Sequence, residues 1–152
     1  MTEEEVSEGL FLAASSDPNI IVLTWHAVDG KSYFTPSVKL RHPGGTRVEP
    51  DLILLVCEDS VWLIEVKADH SEAVADERKL VRLRQEVGDQ ELLVQITRRS
   101  GHRVDGAIRL AVAYAQDDPG IGDCEPSVVH IHWPTFQNEV AVAGLGGLLS
   151  SL

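Results

Sequence analysis

The chain has 152 residues, 43% of them hydrophobic and 24% charged, with a formal net charge of −11. That length suits one domain, residues 1–152, with a substantial core, and no window reaches the apolar length of a membrane span. The acidic balance argues against a simple nucleic-acid binder, because such binding is driven by cations meeting phosphates.

The first residues, Met1-Thr2-Glu3-Glu4-Glu5, carry the wrong sign for a signal or transit peptide. Cys57 and Cys124 have no metal-ligand spacing and are too few for a disulfide framework. The expectation is a cytoplasmic protein with reduced thiols. Thr2 and Glu5 have capping-box spacing, and Val6, Leu10, Ala13 and Ala14 form an apolar stripe, which predicts a helix over 2–16. Segments 20–28 and 31–40 flank Asp29-Gly30, a hairpin signal, and Pro43-Gly44-Gly45 breaks the chain after them. With the hairpin that follows, this predicts a helix and then four strands in a meander. His26 and His42 read as solvated or core-satisfied side chains rather than ligands.

The next stretch is the most informative. Leu52-Ile53-Leu54-Leu55-Val56 and Val61-Trp62-Leu63-Ile64-Glu65-Val66-Lys67 are split by a polar turn, Cys57-Glu58-Asp59-Ser60, and read as an antiparallel hairpin. A turn centred near Glu58 sets Asp51 opposite or diagonal to Glu65. Such partners lie roughly 5 Å apart when opposite and about 7–8 Å when diagonal. Glu65 and Lys67 share a face with Val61 and Leu63, while Trp62, Ile64 and Val66 make the other face wholly apolar. A charge in such surroundings costs on the order of several kcal/mol unless it is paired, hydrogen-bonded or bound to a metal. A divalent cation between Asp51 and Glu65 would offset their repulsion. A plain ion pair of either carboxylate with Lys67 would also satisfy the charges.

Beyond it, residues 72–87 read as a helix with Ala73, Leu80, Leu83 and Val87 on one face and Arg78, Arg82 and Gln85 opposite; Lys79 lies between. A solvated face balanced by Asp76, Glu77 and Glu86 is the preferred reading of these basic residues, with phosphate contacts by Arg78 and Arg82 as the functional one. Residues 91–97 read as a strand, and 98–103, with Arg98, Arg99 and Arg103, as a basic loop. Segment 106–116 reads as a second helix through Ala107, Leu110, Ala111 and Tyr114. After a Gly, Pro and Asp-rich loop at 117–126, residues 127–133 read as a strand placing His130 and His132 on one face. The tail at 140–149 is apolar and rich in small residues, suited to completing the core or docking on a partner. Nine of the thirteen Lys and Arg residues fall between Lys67 and Arg109, and none follow. The net charge thus leaves room for a local basic surface, with weak affinity for naked DNA or a partner that supplies it.

Pro50-Asp51 and Glu65-Val66-Lys67, on adjacent strands, resemble the PD-(D/E)XK nuclease superfamily. The resemblance strictly covers residues 49–67, and element order extends it loosely to most of the chain. It implies an α/β fold with a restriction endonuclease-like core, a mixed and mainly antiparallel sheet flanked by helices. It further implies that Asp51, Glu65 and the Val66 carbonyl hold Mg²⁺ or Mn²⁺, and that Lys67 positions the attacking water. Family members often carry a metal-assisting Glu on the first helix, and Glu3, Glu4, Glu5 and Glu8 all remain available. They also often carry a Gln or Lys on the helix after the motif, here Lys79 or Gln85, with Arg78 and Arg82 as phosphate contacts.

The expected activity is metal-dependent hydrolysis of nucleic-acid phosphodiesters, an endonuclease acting on DNA more readily than RNA. Cutting both strands would call for a homodimer or an accessory subunit. The rival is a catalytically silent nuclease-like interaction module, or an accessory subunit of a larger nucleic-acid-processing complex, favoured by the acidic surface.

Overall fold

The structure, a computed structural model, describes residues 1–26, 38–116 and 125–152. The Asp29-Gly30 signal, most of the strand expected over 31–40, and Cys124 lie outside the described residues. In chain order the elements are α1 (Glu3–Ser15), β1 (Ile20–Trp25), β2 (Leu40–Arg41), β3 (Arg47–Val48), β4 (Leu52–Val56), β5 (Ser60–Asp69) and α2 (His70–Val87). They continue with α3 (Asp89–Ser100), β6 (Ala107–Gln116), β7 (Val128–His132), α4 (Trp133–Ala143) and α5 (Leu145–Ser151). Among the described residues no helix is long and apolar enough to cross a membrane.

Five strands form one sheet in the order β1-β4-β5-β6-β7. The β1–β4 and β4–β5 pairs are antiparallel, while β5–β6 and β6–β7 are parallel. The sheet is therefore evenly mixed, not mainly antiparallel as expected. The meander also gives way: β1 pairs directly with β4, and β2 and β3 form a separate two-stranded hairpin.

Both sheet faces are covered, which is what parallel strands require. On one face α2 and α3 cover Ile53, Leu55, Val61, Leu63, Leu110 and Val112. On the other, α1, α4 and α5 cover Leu52, Leu54, Val56, Trp62, Ile64 and Val66. The alternation read along β5 thus holds, with Trp62, Ile64 and Val66 on the second face. The expected capping box of α1 is present: Thr2 Oγ1 accepts from the Glu5 N–H, and Glu5 Oε1 accepts from the Thr2 N–H. Trp25 Nε1 donates to Ser7 Oγ at 3.0 Å and Phe11 stacks on Trp25, so α1 is tied to β1.

Two assignments reverse. Residues 91–97 belong to α3, because Leu92, Leu93 and Ile96 fall on one helical face although Val, Ile and Thr favour strands. Acids open this helix, and Gly101, at φ 76°, ends it in the left-handed conformation, so Arg98 and Arg99 sit in its last turn and not in a loop. Segment 107–116 is β6, not a helix. Its alanines suggested helix, yet the residues alternate by size: Leu110, Val112 and Tyr114 face α2 and α3, while Ala111, Ala113 and Ala115 face the other layer. The tail forms the end of α4 and then α5, which delivers Leu145 and Leu149 to the core.

Candidate functional site

The β4–β5 register brings the two halves of the motif together. Its outermost pair is Leu52 with Ile64, and Asp51 and Glu65 lie one step beyond. Asp51 is fixed on both sides: its carbonyl accepts from His26 N–H at 2.9 Å, and its Oδ2 accepts from Val66 N–H at 2.8 Å. Val66 thus contributes its N–H to the site while its side chain is buried on the far face.

Glu65 is only 3% exposed. Burial pushes its carboxyl up to about 9, and Asp51 adds to this through like charge and a side-chain hydrogen bond; Lys79 pulls the other way. Lys79 Nζ lies 3.0 Å from Glu65 Oε1 and 3.5 Å from Asp76 Oδ1. Lys67 Nζ lies 3.5 Å from Asp76 Oδ2. Burial pulls the Lys67 ammonium down, but Asp76, Glu3 and Asp51 outweigh it, so the net shift is upward. The same balance raises Lys79, with Glu65 as its main partner.

Among the acids of α1, Glu3 is set apart electrostatically. Its carboxyl is raised by burial, and it senses Lys67, Asp51, Glu72 and Asp76. Glu5 is occupied by the capping box, and Glu4 and Glu8 are exposed. Carboxylates from Glu3, Asp51, Glu65 and Asp76 therefore surround the ammonium groups of Lys67 and Lys79. Burial first, and the neighbouring Asp51 second, favour the protonated form of Glu65.

Among the described residues no three His, Cys, Asp or Glu side chains converge in a metal-holding group. What converges is a carboxylate pair, Asp51 and Glu65, with hard oxygen donors beside the Val66 peptide. This donor chemistry fits Mg²⁺ or Mn²⁺, which take few protein oxygens and keep several waters. The excess of carboxylates over ammonium groups fits a divalent charge.

Asp76 and Glu77 were expected on a solvated helix face, but they are buried, at 8% and 3% exposure. The signal was present: they stand three and four residues after Ala73, on the stripe that continues to Leu80. Asp76 turns toward Lys67 and Lys79. Glu77 turns to β7, where His130 Nε2 lies 2.9 Å from its Oε2 and the Glu125 N–H donates to its Oε1. His130 is thus paired with an acid, and His132 Nδ1 lies 2.9 Å from Thr135 Oγ1. His26 Nε2 meets Glu49 Oε1 at 2.8 Å while its backbone N–H holds the Asp51 carbonyl, and His42 meets Glu86.

The basic face of α2 borders a cleft of about 670 Å³, whose other wall is the β2–β3 hairpin. Arg78, Lys79 and Arg82 line it, joined by Arg47, which the sequence reading passed over. Gln85 is exposed and is not part of this lining. Lys79 belongs to both places, lining the cleft and touching Glu65.

No protein-family model, curated protein or solved structure matches the chain. The fold and site together define an α/β protein with a carboxylate pair, Glu65 buried and Asp51 partly buried, flanked by lysines, at one end of a mixed sheet.

Proposed function

We propose that the chain is a metal-dependent phosphodiesterase, a nuclease acting on nucleic acid, with DNA as the preferred substrate. One observation carries the reading: the buried Glu65 carboxyl is held against Asp51 across the end of the β4–β5 pair, with Lys67 and Lys79 beside them. A structural ion pair needs one acid and one base. Two carboxylates forced together at the cost of an upward-shifted pKa point instead to a site for a cation.

In this reading Asp51, Glu65 and the Val66 carbonyl hold Mg²⁺ or Mn²⁺, and Glu3 is the acid of α1 that assists. The bound ion supplies charge neutralisation at the phosphoryl oxygens and lowers the pKa of water. The residues supply the rest. The Val66 N–H orients Asp51. Asp76 holds Lys67 in place, and Lys67 positions the attacking water by donating a hydrogen bond from its ammonium. Arg78 and Lys79 hold flanking phosphates, while Arg82, on the same face, is tied to Glu86.

The test is cleavage of supercoiled plasmid, linear duplex and single-stranded DNA with Mn²⁺, Mg²⁺ or EDTA, wild type beside Glu65→Ala. Metal-dependent cutting that vanishes in the variant is the expected result. A folded wild type that binds the metal yet cuts none of these substrates would favour the silent interaction module instead.

A further inference from the structure

We infer that the cleft between the β2–β3 hairpin and α2 binds the sugar–phosphate backbone of a single nucleic-acid strand, through phosphates and without base stacking. The inference rests on the phosphodiesterase reading for its substrate class and adds where and how the strand is held.

Charge is the first argument. In a chain of net charge −11, this cleft gathers Arg47 on one wall and Arg78, Lys79 and Arg82 on the other. Arg47 and Arg78 are exposed, and neither side chain has an ion-pair or hydrogen-bond partner among the described residues. Exposed guanidinium groups lining one cleft, neither paired with an acid, are available for bidentate phosphate contacts. Arg82 and His42 are both engaged by Glu86, which lines the same cleft. That carboxylate disfavours an anion beside it, so the strand is held toward Arg47, Arg78 and Lys79. Lys79 then leads it to Glu65, 3.0 Å away.

Rigidity is the second. The Gln95 side chain from α3 accepts from Arg41 N–H at 2.7 Å and donates to Arg41 C=O at 3.1 Å, as a neighbouring strand would. Val38, Leu40 and Val48 anchor the hairpin in the core. The wall carrying Arg47 is therefore fixed before any ligand arrives, which lowers the ordering cost of binding.

Size and lining decide the occupant. A volume of about 670 Å³ is that of a small-ligand site. A cleft of that volume takes a short stretch of one backbone and is too small to enclose a whole duplex. The described lining has no Phe, Tyr or Trp to stack a base and no Asn or Gln to pair its edge.

The experiment is fluorescence anisotropy in EDTA, using a labelled mixed-sequence single strand and its duplex over a salt series. The single strand should bind more tightly, with log K falling linearly in log salt. Arg47→Gln and Arg78→Gln should each reduce that slope by roughly 0.7. Arg47→Lys should restore it, and Arg98→Gln, outside the cleft, should leave it unchanged. Circular dichroism confirms that each variant folds. Tighter binding of the duplex would overturn the proposal. So would slopes unmoved by the cleft variants, no salt-dependent binding by the folded protein, or equal competition by polyglutamate, which would mark an acidic protein partner. Binding is read here without metal or turnover, so failure leaves the phosphodiesterase reading to the separate cleavage assay.

Discussion

Glu65 and Lys79 meet where the sheet and α2 join, with Oε1 and Nζ 3.0 Å apart. The contact links a buried acid to a half-exposed base, and Asp76 binds the same lysine from within α2. Lys67, two residues along β5 from Glu65, is drawn to the other oxygen of Asp76. A single buried helix acid thus organises two ammonium groups around the carboxylate pair.

The raised pKa of Glu65 has a stability consequence. Its carboxyl binds a proton more tightly in the folded chain than unfolded, so it stabilises the fold at low pH. That contribution is lost as pH rises from the ordinary carboxylate range through about 9. In EDTA, Glu65→Gln should therefore gain thermal stability over wild type as the buffer becomes alkaline. Lys79→Met removes a charge that holds the Glu65 pKa down, so its stability loss should begin in the same carboxylate range and continue to a higher pH than in wild type. Melting curves across the pH range decide it; a constant difference between wild type and Glu65→Gln would contradict the assignment.

Lys67 carries the most specific catalytic expectation. Lys67→Met should lower kcat by about 10²–10⁴ while Mn²⁺ affinity stays within a few-fold of wild type. Steady-state cleavage beside calorimetry separates the two. A loss of metal binding equal to the loss of rate would make Lys67 a structural counter-charge and no water-positioning group.

The fold offers a test at Gly106, where the chain enters β6. Its φ is 107°, and a Cβ there would lie 2.1 Å from the Asp59 carbonyl oxygen. Gly106→Ala should destabilise the protein by about 3 kcal/mol in urea unfolding. A change near zero would mean that the β5–β6 entry differs from the one described.

The β4–β5 turn points the opposite way. Cys57 and Glu58 have φ of 53° and 62°, left-handed values that favour glycine. Glu58→Gly should stabilise the fold by about 0.5–1 kcal/mol, after allowing for the flexibility that glycine adds to the unfolded chain. A decrease in the urea midpoint would contradict it.

The β4–β5 hairpin and the meeting of Asp51 with Glu65 were legible because a short polar turn between apolar runs leaves little freedom of register. The α1 cap was legible for a similar reason, its signal being local. Residues 91–97 and 107–116 misled because intrinsic preference there opposes the tertiary setting. Helical packing of Leu92, Leu93 and Ile96 overrides β-branched composition, and a central parallel strand accepts alanines where helices press closely. The even mix of the sheet follows from that second error, since reading β6 as a helix removes both parallel pairs. Asp76 and Glu77 were assigned outward by charge, although their spacing from Ala73 placed them inward. Arg47 could not be found locally, because the cleft exists only once the β2–β3 hairpin is set against α2.

The most direct test of the central claim is calorimetric titration of Mn²⁺ into the metal-free protein, repeated in buffers of different ionisation enthalpy. Asp51 and Glu65 as a cation site require saturable binding with release of about one proton, since Glu65 must ionise to become a ligand. Binding should disappear in Asp51→Ala and Glu65→Ala and persist in Arg78→Gln. A folded wild type that binds no Mn²⁺, or binding undiminished in both carboxylate variants, would contradict the account.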